Sequence, residues 1–199
     1  MPDSLPPRTT HVDRQTGETT VSVSLTLDGG SYDNQTGVGF LDHMLDLFAR
    51  HGGFGLTVRA EGDLHVDDHH TVEDVGIALG QALGQALGDK AYVTRYGHAV
   101  VPMDEALAEV AVDLSGRAYL VFDGTFARDR VGDLSTELVE HFWWSVAEQA
   151  RLTMHVMIRA GRNDHHKVEA VFKAVGRALR QAVRRDADGD PMPSTKGVL

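Results

Sequence analysis

The chain has no cysteine, so disulfides, thiolate-bound metals and a cysteine nucleophile are excluded, and a reducing compartment is expected. It has no apolar run approaching the roughly 20 residues that cross a bilayer as a helix. Its first ten residues, MPDSLPPRTT, hold neither a basic leader nor an apolar stretch, so a cytoplasmic rather than a secreted protein is expected. Positive charge is scarce: 19 lysines and arginines face 29 acidic residues, a formal net charge of −10. That deficit argues against a general nucleic-acid binder, which presents a basic face. An anionic substrate would have to be met locally, by metal ions or by a few arginines and lysines.

In bulk the composition is ordinary. With 199 residues, 42% hydrophobic and 24% charged, the chain can bury a sizeable core as one domain or two small ones. It also carries 11 histidines, most of them in short clusters.

Hydrophobic periodicity predicts strands alternating with helices. Residues 19–27 (TTVSVSLTL) alternate polar and apolar residues as a half-buried strand does, with DGG following as a turn. Residues 40–50 carry apolar residues at helical spacing and stop at Gly52-Gly53, a C-cap signal. A strand over 56–64 and a longer helix over 68–87 follow, in which GQALGQALG predicts close helix packing through its small residues. The second half retraces this order: strands over 110–114 and 118–122 joined by Ser115-Gly116, a helix over 137–150, a strand over 152–160, a helix over 164–184 and a polar tail.

The two halves also match in their chemistry. VDDHHTVED (66–74) and RNDHHKVEA (162–170) share Asp-His-His-x-x-Glu, and His69 and His165 are 96 positions apart, as are Glu73 and Glu169. The acidic-His pairs Asp42-His43 and Glu140-His141 stand 98 apart. Duplication of a unit of about 95 residues is expected, with halves at 1–93 and 94–190 and a tail at 191–199.

Residues advance about 100° each around a helix, so Glu73 shares a face with the preceding histidines while His69 and His70 diverge. One ion could hardly take both, so each cluster is expected to serve two centres. His43, His69, His70, His141, His165 and His166 with Glu73 and Glu169 would supply two sites of three imidazoles and one carboxylate. Such donors suit manganese, iron, zinc or nickel without separating them. A lone helical histidine is ordinarily a surface residue; two such clusters at matched repeat positions are hard to read that way.

The whole chain resembles the imidazoleglycerol-phosphate dehydratases of histidine biosynthesis. The resemblance is carried by RQTGETTVSVSLTLDG (14–29), GVGFLDHMLDLFARHG (37–52), DDHHTVEDVGIALGQAL (67–83), RYGHAVVPMDEAL (95–107), DLSGRAYLVF (113–122), ELVEHFWWSVA (137–147), NDHHKVEAVFKAVGRAL (163–179) and STKG (194–197), in order. It implies an α/β fold of an internally duplicated unit, each half a four-stranded sheet with two helices on one face. It also implies 24 identical subunits that share active sites, with two Mn²⁺ per site held by the eight residues just named. The implied reaction is loss of water from D-erythro-imidazoleglycerol phosphate to give imidazole acetol phosphate. No carbonyl acidifies the departing carbon proton, so the ring must be the electron sink, through an imidazolate and a diazafulvene-like intermediate.

Further roles follow from the same resemblance. Glu18 in GETTV is the implied acid/base, grouped with His70 and Glu169 as catalytic. Arg95, Arg117, Lys173, Ser194, Thr195 and Lys196 are the implied substrate-binding set, and Asp104 in PMDEA an orienting carboxylate behind a metal ligand. Leu47 departs from the glutamine frequent in the family, and Trp143-Trp144 is read as packing. Some relatives are fused to a phosphatase, for which this chain has no room. Two other classes fit the same donors: a zinc hydrolase, and a metal-storing scaffold that would leave the arginines and lysines without purpose.

Overall fold

The computed structural model describes residues 7–186 and Ser194. Strands β1 (Thr9–Gln15) and β2 (Thr19–Thr26) pair antiparallel. In β2 the alternation sends Val21, Val23 and Leu25 into the core and the intervening polar residues outward. Strand β3 (Tyr32–Gln35) crosses through helix α1 (Gly39–Gly52) to β4 (Gly55–Gly62), which lies parallel to it and antiparallel to β2. Gly53 ends α1 in the left-handed conformation, φ 69°, its N–H returning to the last turn. Helix α2 (His69–Leu87) closes the half.

The second half repeats this course. Strands β5 (Tyr96–Met103), β6 (Ala106–Asp113) and β7 (Tyr119–Asp123) are followed by a short ribbon, β8 (Arg130–Val131) with β9 (Leu134–Ser135). Then come α3 (Glu137–Ala150), β10 (Thr153–Ala160) and α4 (Asp164–Ala182). The sheet orders are β1-β2-β4-β3 and β5-β6-β10-β7, so the duplication predicted from spacing is one of topology too. Each half is a four-stranded sheet with two helices, as expected. No helix among the described residues is long and apolar enough to cross a membrane.

The helices of one half pack mainly on those of the other, α1 against α4 and α2 against α3. The sheets therefore lie outside and the helices meet inside. Phe48, Phe142, Trp143 and Phe172 fill the centre with ring centroids 4.8–5.7 Å apart. Trp143 is the packing residue expected of the tandem tryptophans; Trp144 is 41% exposed, because its helical neighbour's inward direction turns it to solvent.

Glycines set how closely the helices approach. A Cβ on Gly80 of α2 would stand 2.7 Å from the Val146 carbonyl of α3, and one on Gly76 3.0 Å from that of Phe142. A Cβ on Gly84 would meet nothing nearer than 3.4 Å. The third glycine of GQALGQALG, Gly88, plays no part in packing: it is the α2 C-cap, with φ 56°. Gly80→Ala should therefore lower stability by about 1–3 kcal/mol through overpacking, while Gly84→Ala should be neutral or gain up to about 1 kcal/mol of helix propensity. Thermal unfolding of the two variants checks this, and a shared loss would put the close contact elsewhere.

Candidate metal centres

The paired histidines sit where α2 and α4 begin. Asp67 accepts the His69 N–H at 2.8 Å and Asn163 that of His165 at 3.0 Å, capping both helices just ahead of the clusters. The preceding aspartates are buried anchors. Asp68 accepts the Ser135 N–H and hydroxyl (2.6 and 2.8 Å) with Arg130 at 3.2 Å. Asp164 accepts the N–H groups of Ala127 and Arg128, both at 2.8 Å, and Lys167 at 2.9 Å. Burial raises each carboxyl's pKa, but these donors outweigh it and hold both below the usual range. The first residue of Asp-His-His-x-x-Glu thus ties each helix start to the loop before α3 or after β7.

Among the described residues two groups of metal-ligand type form, and each takes one helix from each half. His69 and Glu73 of α2 meet His141 of α3, and His43 of α1 meets His165 and Glu169 of α4, with one ligand atom per residue lying within 4.8 Å of the others in each group. The His141 Nε2 lies 3.0 Å from Glu73 Oε1, and the His69 and His141 ring centroids are 5.0 Å apart. In the other group His165 Nε2 is 3.2 Å and His43 Nε2 4.0 Å from Glu169 Oε2. Glu169 is buried, which raises its pKa, yet Lys173 bonding to its Oε1 and His165 beside it bring the net shift down. The two groups occupy equivalent positions in the duplicated architecture.

His70 and His166 stand outside both groups. Adjacent helical residues diverge, so these rings face the hairpin tips instead of α1 or α3. The expected sites of three imidazoles and one carboxylate are therefore not closed within one chain; each group holds two histidines and one glutamate. The displaced rings share a common setting. Asp63 meets Nδ1 of His70 at 3.0 Å, leaving Nε2 3.8 Å from Glu18. Glu105 meets Nδ1 of His166 at 2.8 Å, leaving Nε2 3.7 Å from Asp104. The hydrogen bond that each carboxylate accepts from the ring raises its histidine's pKa. Glu105, bonded by His166 and by the N–H groups of Asn163 and Arg162, falls to about 2. A carboxylate on Nδ1 fixes the ring and its tautomer with Nε2 outward. Glu105 stands at that nitrogen of His166, while Asp104, the carboxylate expected there, faces Nε2.

Glu18 sits in a turn held from beneath. Thr16 Oγ1 accepts the N–H groups of Glu18 and Thr19 at 3.2 and 3.0 Å. Buried Asp74, one residue after Glu73, accepts Arg14 Nε at 2.8 Å, the Thr16 hydroxyl at 3.4 Å and the Thr19 hydroxyl.

The basic residues are dispersed. Lys173 reaches Glu169, one turn along α4. Arg95 donates from Nε to Asp113 at 2.8 Å, and its N–H meets the Ala182 carbonyl, so it lies about 25 Å along α4 from His165 at 1.5 Å per residue. The Arg117 turn is bonded to Ser115, whose hydroxyl also meets Thr153 at the start of β10. Leu47 is partly buried and packs on the core. Ser194 is half-buried, while Thr195 and Lys196 fall outside the described residues.

Residues 36–179 match the family model for imidazoleglycerol-phosphate dehydratase. An imidazoleglycerol-phosphate dehydratase from Salinibacter ruber is 64% identical over 197 residues, covering 98% of each chain. One from Roseiflexus is 58% identical over 96% of this chain and 98% of its own. The crystal structure of the Staphylococcus aureus enzyme superposes with a TM-score of 0.82 at 43% identity, over 89% of this chain and 99% of that one. The Pyrococcus furiosus structure gives 0.83 at 39% identity, over 94% and 100%.

Proposed function

The chain belongs to the imidazoleglycerol-phosphate dehydratase family, and from that membership we infer that it is a carbon–oxygen hydro-lyase of histidine biosynthesis acting in the cytoplasm. Its substrate is D-erythro-imidazoleglycerol phosphate and its product imidazole acetol phosphate. The observation that carries the metal-dependent form of this reading is the pair of His-His-Glu groups, each with one ligand atom per residue within 4.8 Å of the others. Imidazole and carboxylate donors without sulfur fit two manganese ions, or other divalent transition ions. Such ions would supply Lewis acidity at the imidazole ring nitrogens, making the ring an electron sink.

His43, His165 and Glu169 would hold one ion, and His69, Glu73 and His141 the other. His70 and His166, oriented by Asp63 and Glu105 with Nε2 outward, are the imidazoles left over. They would complete the groups of neighbouring subunits in an assembly of 24 chains with shared sites. Glu18 is the acid/base. Its carboxylate takes the carbon proton after hydroxide leaves the ring side chain, through a diazafulvene-like intermediate, giving the enol that becomes the ketone. Asp104 faces His166 as Glu18 faces His70 and helps position that ring. Arg95, Arg117, Lys173, Ser194, Thr195 and Lys196 bind the phosphate. Since Arg95 is distant from the groups of its own chain, a complete site again draws on more than one subunit.

An assay for the ketone product with manganese, before and after chelation, tests the reading. A zinc hydrolase would hydrolyse an ester or amide and give no ketone; a storage scaffold would bind metal without turnover. Deleting residues from Pro193 onward should raise KM about 10- to 100-fold, the scale of one or two lost charge-assisted hydrogen bonds. The assembled particle should remain, and unchanged kinetics would remove the tail from phosphate binding.

A further inference from the structure

Between β7 and α3 the chain runs through residues 124–136, where the equivalent connection of the first half, from β3 to α1, takes only 36–38. The addition breaks the duplication, and its contacts go to the starts of the helices. Gly132, at φ 60°, opens the two-residue turn of the β8–β9 ribbon. That turn brings Asp133 to α1, where its carboxylate accepts the N–H groups of Gly39 and Phe40 at 2.6 and 2.9 Å. Asp133 thereby supplies the cap that the side chain of Val38 cannot.

The same segment reaches the other three helices. Ser135 and Arg130 donate to Asp68 at the head of α2, and Arg130 also donates to the Asp133 carbonyl. Thr136 closes the segment on the Arg128 carbonyl at 2.7 Å and leads directly into α3. The N–H groups of Ala127 and Arg128 bond Asp164, the first residue of α4. His43, His69, His141 and His165 all lie within about one turn of these starts. One metal group is built on α1 and α4 and the other on α2 and α3, so the groups share no helix, yet residues 127–136 hold the starts of all four.

We propose that residues 127–136 are a positioning element that couples the two metal groups, so that an ion held by one favours the ion of the other. An ion on His43, His165 and Glu169 would fix the starts of α1 and α4 and, through Asp133 and Asp164, the segment between them. The segment would then present α2 and α3 already in place. Such coupling is reciprocal and typically about 5- to 150-fold in affinity. The inference rests on the metal-group reading and goes beyond it, and Asp133 is its most direct handle, as the side chain that joins the segment to α1.

Graded chelation of the manganese-loaded assembled protein tests it, with released Mn²⁺ read by electron paramagnetic resonance. The unaltered protein should release two ions per chain in one step. Asp133→Ala should split release into two steps at least about fivefold apart, the tighter one matching the single ion held by His43→Ala. In the His43→Ala background, Asp133→Ala should change nothing, because no second ion remains to be coupled. Asp133 is exposed, so alanine leaves no cavity. Asp133→Asn keeps an acceptor oxygen and should restore part of the single step; it carries the test if alanine disturbs folding. Protein that takes up no manganese would remove the metal groups and this proposal together. Two ions released independently by the unaltered protein would overturn the coupling while the groups stand. So would a single step that survives Asp133→Ala, since cooperativity would then belong to subunit assembly. An equal loss from Asp133→Ala in the His43→Ala background would also overturn it, being the mark of a merely structural anchor.

Discussion

Glu18→Gln is expected to fold, assemble and bind metal normally while losing about 10²- to 10⁴-fold in turnover, the contribution of one positioned acid/base. The glutamate side chain is 55% exposed, with His70 Nε2 3.8 Å from its Oε1. Replacing it removes no buried pair, so a loss of rate would not be a loss of fold. What fixes the carboxylate is the turn beneath it. Asp74 holds Thr16, Thr19 and Arg14 together, so Asp74→Asn should loosen the turn and reduce kcat while KM holds. A purely structural role for Asp74 would instead lower the unfolding temperature without separating the two constants. Near-normal turnover in Glu18→Gln would remove the acid/base assignment.

The parts of this arrangement legible in the sequence are those that repeat or bury a regular face. The four helices and the strands at 19–27, 56–64, 110–114, 118–122 and 152–160 show their periodicity directly. Strands β1, β3 and β5, all at sheet edges, do not. β1 buries only Val12, and β3 only Asn34. β5 carries Gly97, where α4 passes so close that a Cβ would lie 1.9 Å from the Ala178 carbonyl, and Pro102, which an edge strand tolerates. Neither residue reads as strand. The eight histidines and glutamates could be named from spacing, but their grouping could not. That α1 faces α4 and α2 faces α3 is a property of how two sheets enclose four helices, so the pairing of His43 with His165 and of His69 with His141 belongs to tertiary packing. Asp63 and Glu105 were hidden for a similar reason. They lie 7 and 61 positions from the histidines they orient, and nothing local marks them. In PMDEA the sequence reading expects an orienting carboxylate at Asp104; the direction of the β5–β6 turn puts Glu105 on Nδ1 of His166 and Asp104 toward Nε2.

Loss of His70 or His166 should be more damaging than loss of any carboxylate behind them. Substituting an orienting carboxylate typically costs about 10- to 100-fold in metal affinity or activity, the range expected for Asp63→Asn and Glu105→Gln. Removing the imidazole deletes a donor that no other residue of the chain can replace, since the groups at His43 and His69 are built on other helix faces. His70→Ala and His166→Ala should therefore abolish measurable dehydration. If these rings complete groups on neighbouring chains, they also bind subunits together, and chelation should reduce the sedimenting particle as well as the activity. Metal-free protein that sediments unchanged would separate metal from assembly. Mixed particles decide whether sites are shared. Co-assembling inactive His70→Ala subunits with inactive His141→Ala subunits should restore a fraction of the activity if the two imidazoles of a site come from different chains. A site built within one chain would always lack one of them, and the mixture would stay inactive.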